Sequence, residues 1–215
     1  MANKNNGFLF DLDGVLIDSE NEYTKIWSQI NKEFPTGKPD LEYIIKGTTL
    51  PQILNQHFEE NQREAVAARL HELENKMRYE YLPFAREFLE MLKSKNIPCG
   101  LVTSSDNQKM AHLKEELPNI LDFFDFVVTG DLVKTSKPSP EGYLLGASKL
   151  NCEPTNCVVF EDSLQGVMAG KNAGAFVVGV VGTLPAETLA PYSHILIRNF
   201  NELDPDDLIE KLENR

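Results

Sequence analysis

Several residue types are scarce in this sequence, and each scarcity excludes something. There are three cysteines, Cys99, Cys152 and Cys157. An odd number without metal-ligand spacing rules out a disulfide framework and leads us to expect reduced thiols in a cytoplasmic chain, with no redox pair across Pro154. Basic residues are outnumbered, 21 Lys and Arg against 33 Asp and Glu, for a net charge of −12. Such a balance excludes a nucleic-acid partner, because gripping a phosphate backbone takes basic surface. Long apolar runs are absent. The longest, Gly174 to Leu184, is too short and too rich in glycine to cross a bilayer, so no membrane partner is expected. The polar opening, residues 1–7, and the interruption of Phe8-Leu9-Phe10 by Asp11 argue against a secretory signal. The four histidines, His57, His71, His112 and His194, are dispersed and beside no motif, and read as structural or surface residues.

What is present is the material of one globular domain carrying an insertion: 215 residues, 41% of them hydrophobic. Short apolar runs recur at Gly7 to Phe10, Ile97 to Thr103, Phe126 to Thr129, Val158 to Phe160, Phe176 to Val181 and Ile195 to Ile197. Continuous apolar strands alternating with helices predict an α/β fold, a parallel sheet covered on both faces. One helix should start at Ser139, with Pro140 in its first turn and Tyr143, Leu144, Ala147 and Leu150 on one face. Another should open at Asp162-Ser163 and close at Gly174. Asp204 to Arg215 reads as a terminal helix.

The alternation breaks between Asp18 and about Leu82. Tyr23, Ile26, Trp27, Ile30 and Phe34 share one helical face, as do Val66, Leu70, Leu73 and Met77. This stretch is expected to be an all-helical insertion, entered near Asp18 and left near Pro83.

Chemistry concentrates at strand ends. Phe8-Leu9-Phe10-Asp11-Leu12-Asp13-Gly14 is a buried strand delivering two carboxylates, which repel each other unless a cation or a proton lies between them. In open parallel sheets ligands bind beyond the carboxyl ends of strands. Taken alone the pair would also suit a solvated turn; a calcium loop is excluded, because Val15 and Leu16 stand where that loop needs an oxygen ligand and a glycine. Thr103-Ser104-Ser105 ends a second strand with hydroxyls and open N–H groups suited to phosphoryl oxygens. Lys137 lies before a helix start, and Glu161-Asp162 ends another strand with acids that suit a hard cation.

Taken together, these four motifs resemble the haloacid dehalogenase superfamily: Asp11-x-Asp13-Gly14, Thr103, Lys137, and Glu161-Asp162 followed by Gly166 and Gly170-x-x-x-Gly174. The form Asp11-Leu12-Asp13-Gly14-Val15-Leu16-Ile17-Asp18-Ser19-Glu20 is similar to that of the β-phosphoglucomutase-like branch. The resemblance implies a Rossmann-like core, residues 1–17 and 84–215, with a helical cap, residues 18–83. It also implies a phosphotransferase: Asp11 as nucleophile forming an aspartyl phosphate, Asp13 as acid and then base, Thr103 and Lys137 on the phosphoryl group. Mg2+ would be held by Asp11, the backbone carbonyl of Asp13 and Asp162, with Glu161 as direct ligand or support. Ser19, Tyr23, Lys46, Gly47 and Thr48 on the cap side, with Ser104 and Ser105, are the candidate substrate contacts; Tyr23 would equally suit the insertion's own core. The mutases of that branch carry a cap histidine and a cap arginine; by motif spacing Tyr23 and Leu50 stand there, and Asp106 replaces a lysine common after the second motif. These departures favour a hydrolase of a small phosphorylated metabolite, a sugar or polyol phosphate, over a mutase. A monomer is expected.

Overall fold

A computed structural model describes residues 6–215; residues 1–5, most of the polar opening, lie outside it. Six parallel strands form one sheet in the order β3-β2-β1-β4-β5-β6. They are β1 (Gly7–Phe10), β2 (Cys99–Val102), β3 (Phe126–Val128), β4 (Cys157–Glu161), β5 (Phe176–Val180) and β6 (Ile195–Ile197). The four strands β1, β2, β4 and β5 are buried along their whole length, which is why they read as unbroken apolar runs.

Alternation along β1 divides the core. Phe8 and Phe10 face α5 (Ala85–Ser94) and join Phe88, Phe160 and Phe200 in an aromatic cluster, where Phe10 stacks on Phe160 with ring centroids 4.4 Å apart. Leu9 and Val159 face the opposite layer, with Tyr143 and Ala147 of α7 (Glu141–Lys149) and Ala169 of α8 (Leu164–Asn172). Burying both faces supplies the apolar area that drives folding. The expected start at Ser139 moves: α7 begins at Glu141 with Pro140 in the capping position, although Ser139 Oγ still accepts the Glu141 N–H at 3.3 Å. Leu144 is also not on the buried face. It is 42% exposed, because α7 lays only its Tyr143–Ala147 edge on the sheet. Gly174 follows α8 with φ +84°, as a helix-ending glycine should. The terminal helix runs from Pro205 to Glu213.

Between β1 and α5 stand only helices: α1 (Glu20–Glu33), α2 (Leu41–Ile44), α3 (Leu50–His57) and α4 (Glu60–Glu74). Ile26, Trp27 and Ile30 of α1 and Val66 and Leu70 of α4 are buried, as their spacing predicts. The chain enters and leaves this insertion side by side. Ile17 and Tyr81 form an antiparallel bridge, Asp18 N–H donates to the Glu80 carbonyl at 3.0 Å, and Leu82 N–H to the Leu16 carbonyl at 2.9 Å. Among the described residues no helix is long and apolar enough to cross a membrane.

Candidate active site

Strand β1 ends at the sheet's centre, and the chain must turn there at once. Gly14 makes that turn with φ +71°, its N–H donating to the Ile17 carbonyl at 3.0 Å. A side chain would be strained at this φ, and a Cβ would also strike the Asp162 carboxylate. Asp11 and Asp13 are thereby presented above the sheet. Beside them β2 delivers Thr103, whose Oγ1 accepts the Ser105 N–H at 3.1 Å, and β4 delivers Glu161 and Asp162.

Three carboxylates, those of Asp11, Glu161 and Asp162, offer oxygens within 4.8 Å of one another, all buried. Lys137 lies among them, its Nζ 2.7 Å from Asp11 Oδ1 and 2.5 Å from Glu161 Oε1. Burial pulls the Lys137 ammonium down, yet Asp11 and Glu161 overcome this and hold its pKa above the ordinary lysine value. Asp11 is pushed up to about 7 by burial, against the pull of Lys137 and with the charges of Glu161 and Asp13 adding to it. Burial, then Glu20, Glu161 and Asp11, lift Asp162 well above an ordinary aspartate. One lysine therefore leaves this cluster short of positive charge. Hard cations take carboxylate oxygens, so the donor set fits Mg2+.

The acids are not equally free. Glu161 accepts from Lys137 and, at 2.6 Å, from the Tyr143 hydroxyl on one oxygen; the other takes Ser163 Oγ and the N–H groups of Asp162 and Ser163. Both Glu161 oxygens are thus occupied, fixed by five donors, an arrangement that suits the support of a metal ligand better than direct ligation. Asp162 is bonded by the Thr183 hydroxyl on Oδ2. The helix-capping role that would explain Asp162 without a metal falls instead to Ser163, whose Oγ accepts the Gly166 N–H at 3.0 Å.

Asp13 points elsewhere. Its Oδ1 accepts from Ser19, and its Oδ2 from Ser105 at 3.1 Å and from Lys109 at 2.5 Å. Burial pushes its carboxyl up, but the Lys109 charge and the three donors outweigh burial and hold it below the usual aspartate range. Lys109, on α6 (Asn107–Glu116), has no counterpart in the sequence reading. It is buried and lies over the Tyr23 ring, 4.2 Å from its centroid. A lysine three residues after the capping Asp106, which accepts the Lys109 N–H, is the one signal that points it back at the strand ends.

The pocket over these groups encloses about 110 Å³. Tyr23, Lys46, Gly47, Thr48, Thr103, Ser104 and Ser105 line it with Asp11, Asp13 and Asp162; Ser19 reaches it through Asp13. Tyr23 is half-buried and serves both expected roles, packing against the core and facing the pocket while its hydroxyl donates to Glu74 at 2.7 Å. Lys46 is ion-paired with Glu20. The Ser104 hydroxyl donates to the Gly47 carbonyl at 2.9 Å, tying the insertion to the sheet layer. One histidine departs from expectation: His71 Nε2 lies 2.9 Å from Asp106 Oδ2, beside the second motif, because α4 of the insertion packs over α6.

The model of the family described as haloacid dehalogenase-like hydrolase matches residues 8–180. The chain belongs to this family. Among the relatives of this haloacid dehalogenase-like hydrolase is the phosphorylated carbohydrates phosphatase of Thermotoga maritima, 37% identical over 82% of this chain and 85% of that protein. Hexitol phosphatase A of Escherichia coli is 35% identical over 85% of each chain. Among solved structures, a β-phosphoglucomutase from Clostridium difficile superposes with a TM-score of 0.80 at 27% identity, covering 97% of both chains.

Proposed function

We propose that this hydrolase is a Mg2+-dependent phosphatase that cleaves a small sugar or polyol phosphate through an aspartyl phosphate on Asp11. The observation that carries the reading is the buried Asp11, gripped on one oxygen by Lys137 and crowded by Glu161 and Asp162. The phosphatase names of the relatives support the reaction class, and two of those names support the substrate class. In this reading residues 18–83 are the cap and the remainder is the catalytic core.

Phosphoryl transfer asks mainly for in-line positioning and neutralised equatorial oxygens. Lys137 holds Asp11 Oδ1, which leaves Oδ2 to attack phosphorus while the ammonium offsets the charge of the phosphoryl group. Asp11, the Asp13 carbonyl and Asp162 would hold Mg2+, which would supply further positive charge to those oxygens. The Thr103 hydroxyl donates to a phosphoryl oxygen. Asp13 is held ionised while Lys109 is on it, so it must first swing off that lysine and take up a proton from solvent. It then gives the proton to the leaving oxygen as the phosphorus–oxygen bond breaks, and takes one back from the water that attacks phosphorus and releases Asp11, help worth about 10²- to 10⁴-fold.

A mutase must hold a second phosphate. Leu50 and Tyr23 line the pocket where the mutases carry arginine and histidine, and the lining lysines Lys46 and Lys109 are already paired with Glu20 and Asp13. The test is phosphate release from a panel of hexose phosphates, polyol phosphates, nucleotides and pyrophosphate, with assay for an isomer product. Turnover should disappear with a chelator and in Asp11→Asn; a folded Asp11→Asn enzyme that keeps most of its activity refutes the nucleophile assignment.

A further inference from the structure

Among the described residues, three buried side-chain oxygens or nitrogens have no hydrogen-bond partner: Asn6 Oδ1, Ser193 Oγ and Glu42 Oε2. Of these residues only Glu42 lines the pocket above Asp11. A buried acceptor left without a donor is destabilising, so an orphan inside a binding pocket calls for an explanation.

The surroundings of Glu42 supply one. It lies on α2, the short helix anchored by buried Leu41 and followed by buried Ile45. The other carboxylates on this side of the pocket are spoken for: Glu20 by Lys46, Glu74 by the Tyr23 hydroxyl, Asp106 by His71. Five apolar side chains, Trp27, Ile45, Leu50, Ile53 and Leu70, line the same pocket. Apolar side chains beside an unpartnered buried carboxylate oxygen match a carbohydrate or polyol chain, whose C–H groups pack on the former while a hydroxyl donates to the latter.

Resting on the phosphatase reading above, we propose that Glu42 is a specificity-determining residue whose Oε2 accepts a hydrogen bond from a hydroxyl of the leaving group. A site built to bond a substrate hydroxyl discriminates against the analogue that lacks it, because the site's own polar group is then left unpaired. Glu42 would thus select hydroxylated over plain alkyl phosphates of equal length.

The experiment compares sorbitol 6-phosphate with n-hexyl phosphate in the wild type, Glu42→Leu and Glu42→Gln, with thermal melting confirming that each variant folds. The readout is the ratio of kcat/KM for the two substrates. In Glu42→Leu the ratio should fall by about 10- to 100-fold, the worth of one hydrogen bond to a charged group. In Glu42→Gln, which keeps an acceptor, most of the preference should survive. Equal loss on both substrates would make Glu42 a structural residue, and an unchanged ratio would mean that water alone fills the position; either result overturns the proposal. A wild type that releases phosphate from neither compound but from another member of the panel overturns the role of Glu42 alone, whereas release from no member overturns the phosphatase reading itself.

Discussion

Tyr143→Phe tests whether Glu161 is held as a supporting carboxylate. Tyr143 is 1% exposed, and its hydroxyl donates to Glu161 Oε1 at 2.6 Å. The substitution removes one oxygen, opens little space and leaves the ring under Lys137, whose Nζ lies 5.3 Å from the ring centroid. What is lost is one hydrogen bond to a charged group, about 1.5–3 kcal/mol. Because Lys137 still occupies Glu161 Oε1 at 2.5 Å, the acceptor is not orphaned and the lower end, about 1.5 kcal/mol, applies. In a domain of this size 1 kcal/mol shifts the melting point by roughly 2–4 °C, so a fall of about 3–6 °C is expected. Supports of metal-site carboxylates are typically worth about 10- to 100-fold in affinity, and the Mg2+ dependence of activity should weaken on that scale. Urea unfolding and Mg2+ titration of turnover read the two effects separately. Normal Mg2+ dependence with the full stability loss would show that Glu161 supports the fold and not the metal.

Two further outcomes follow from charge. Asp11, whose folded pKa is raised from 3.8 to about 7, favours the protonated fold; its stabilising contribution is complete below the unfolded value and is lost as pH rises through about 7. Mg2+ must displace that proton, so calorimetry should show affinity falling by up to about tenfold per pH unit below 7, with proton release; affinity flat between about pH 6 and 8 would contradict the crowding of the three acids. Lys109→Met removes the cation that holds Asp13, whose side chain is 16% exposed, and should cost about 2–4 kcal/mol, somewhat below the range for a fully buried pair. Because Asp13 is lowered from 3.8, the pair stabilises above that value and less as pH falls below it. The urea midpoints of variant and wild type should therefore converge below about pH 4, and a constant gap would assign Lys109 to packing alone.

The sheet was legible because parallel strands buried on both faces cannot alternate, so each appears as an apolar run ending at a polar residue. Asp11, Thr103 and Glu161-Asp162 were visible for the same reason: each interrupts such a run at the end where ligands bind. Lys109 and Glu42 were not. Each is a charged residue on a helix, indistinguishable in sequence from its solvated neighbours, and only the packing of α6 and α2 around the pocket turns them inward. Tyr143 was recognised as core, but its bond to Glu161 needs the register of α7 on β4. The exposure of Leu144 marks the converse limit, since periodicity does not say how wide a face the sheet will cover.

The paired connections at Ile17 and Tyr81 also bear on how this enzyme could diversify. Since the insertion joins the sheet layer through two adjacent segments already bonded to each other, exchanging the helices beyond Glu20 leaves the strand order, and the Ser19 donor of Asp13, in place. If residues 18–83 choose the substrate, as proposed, substrate range and bond-breaking chemistry could change on separate evolutionary clocks. On that proposal a chimera carrying a relative's helices there should show that relative's preferences while keeping its own Asp11, Lys137 and Asp162.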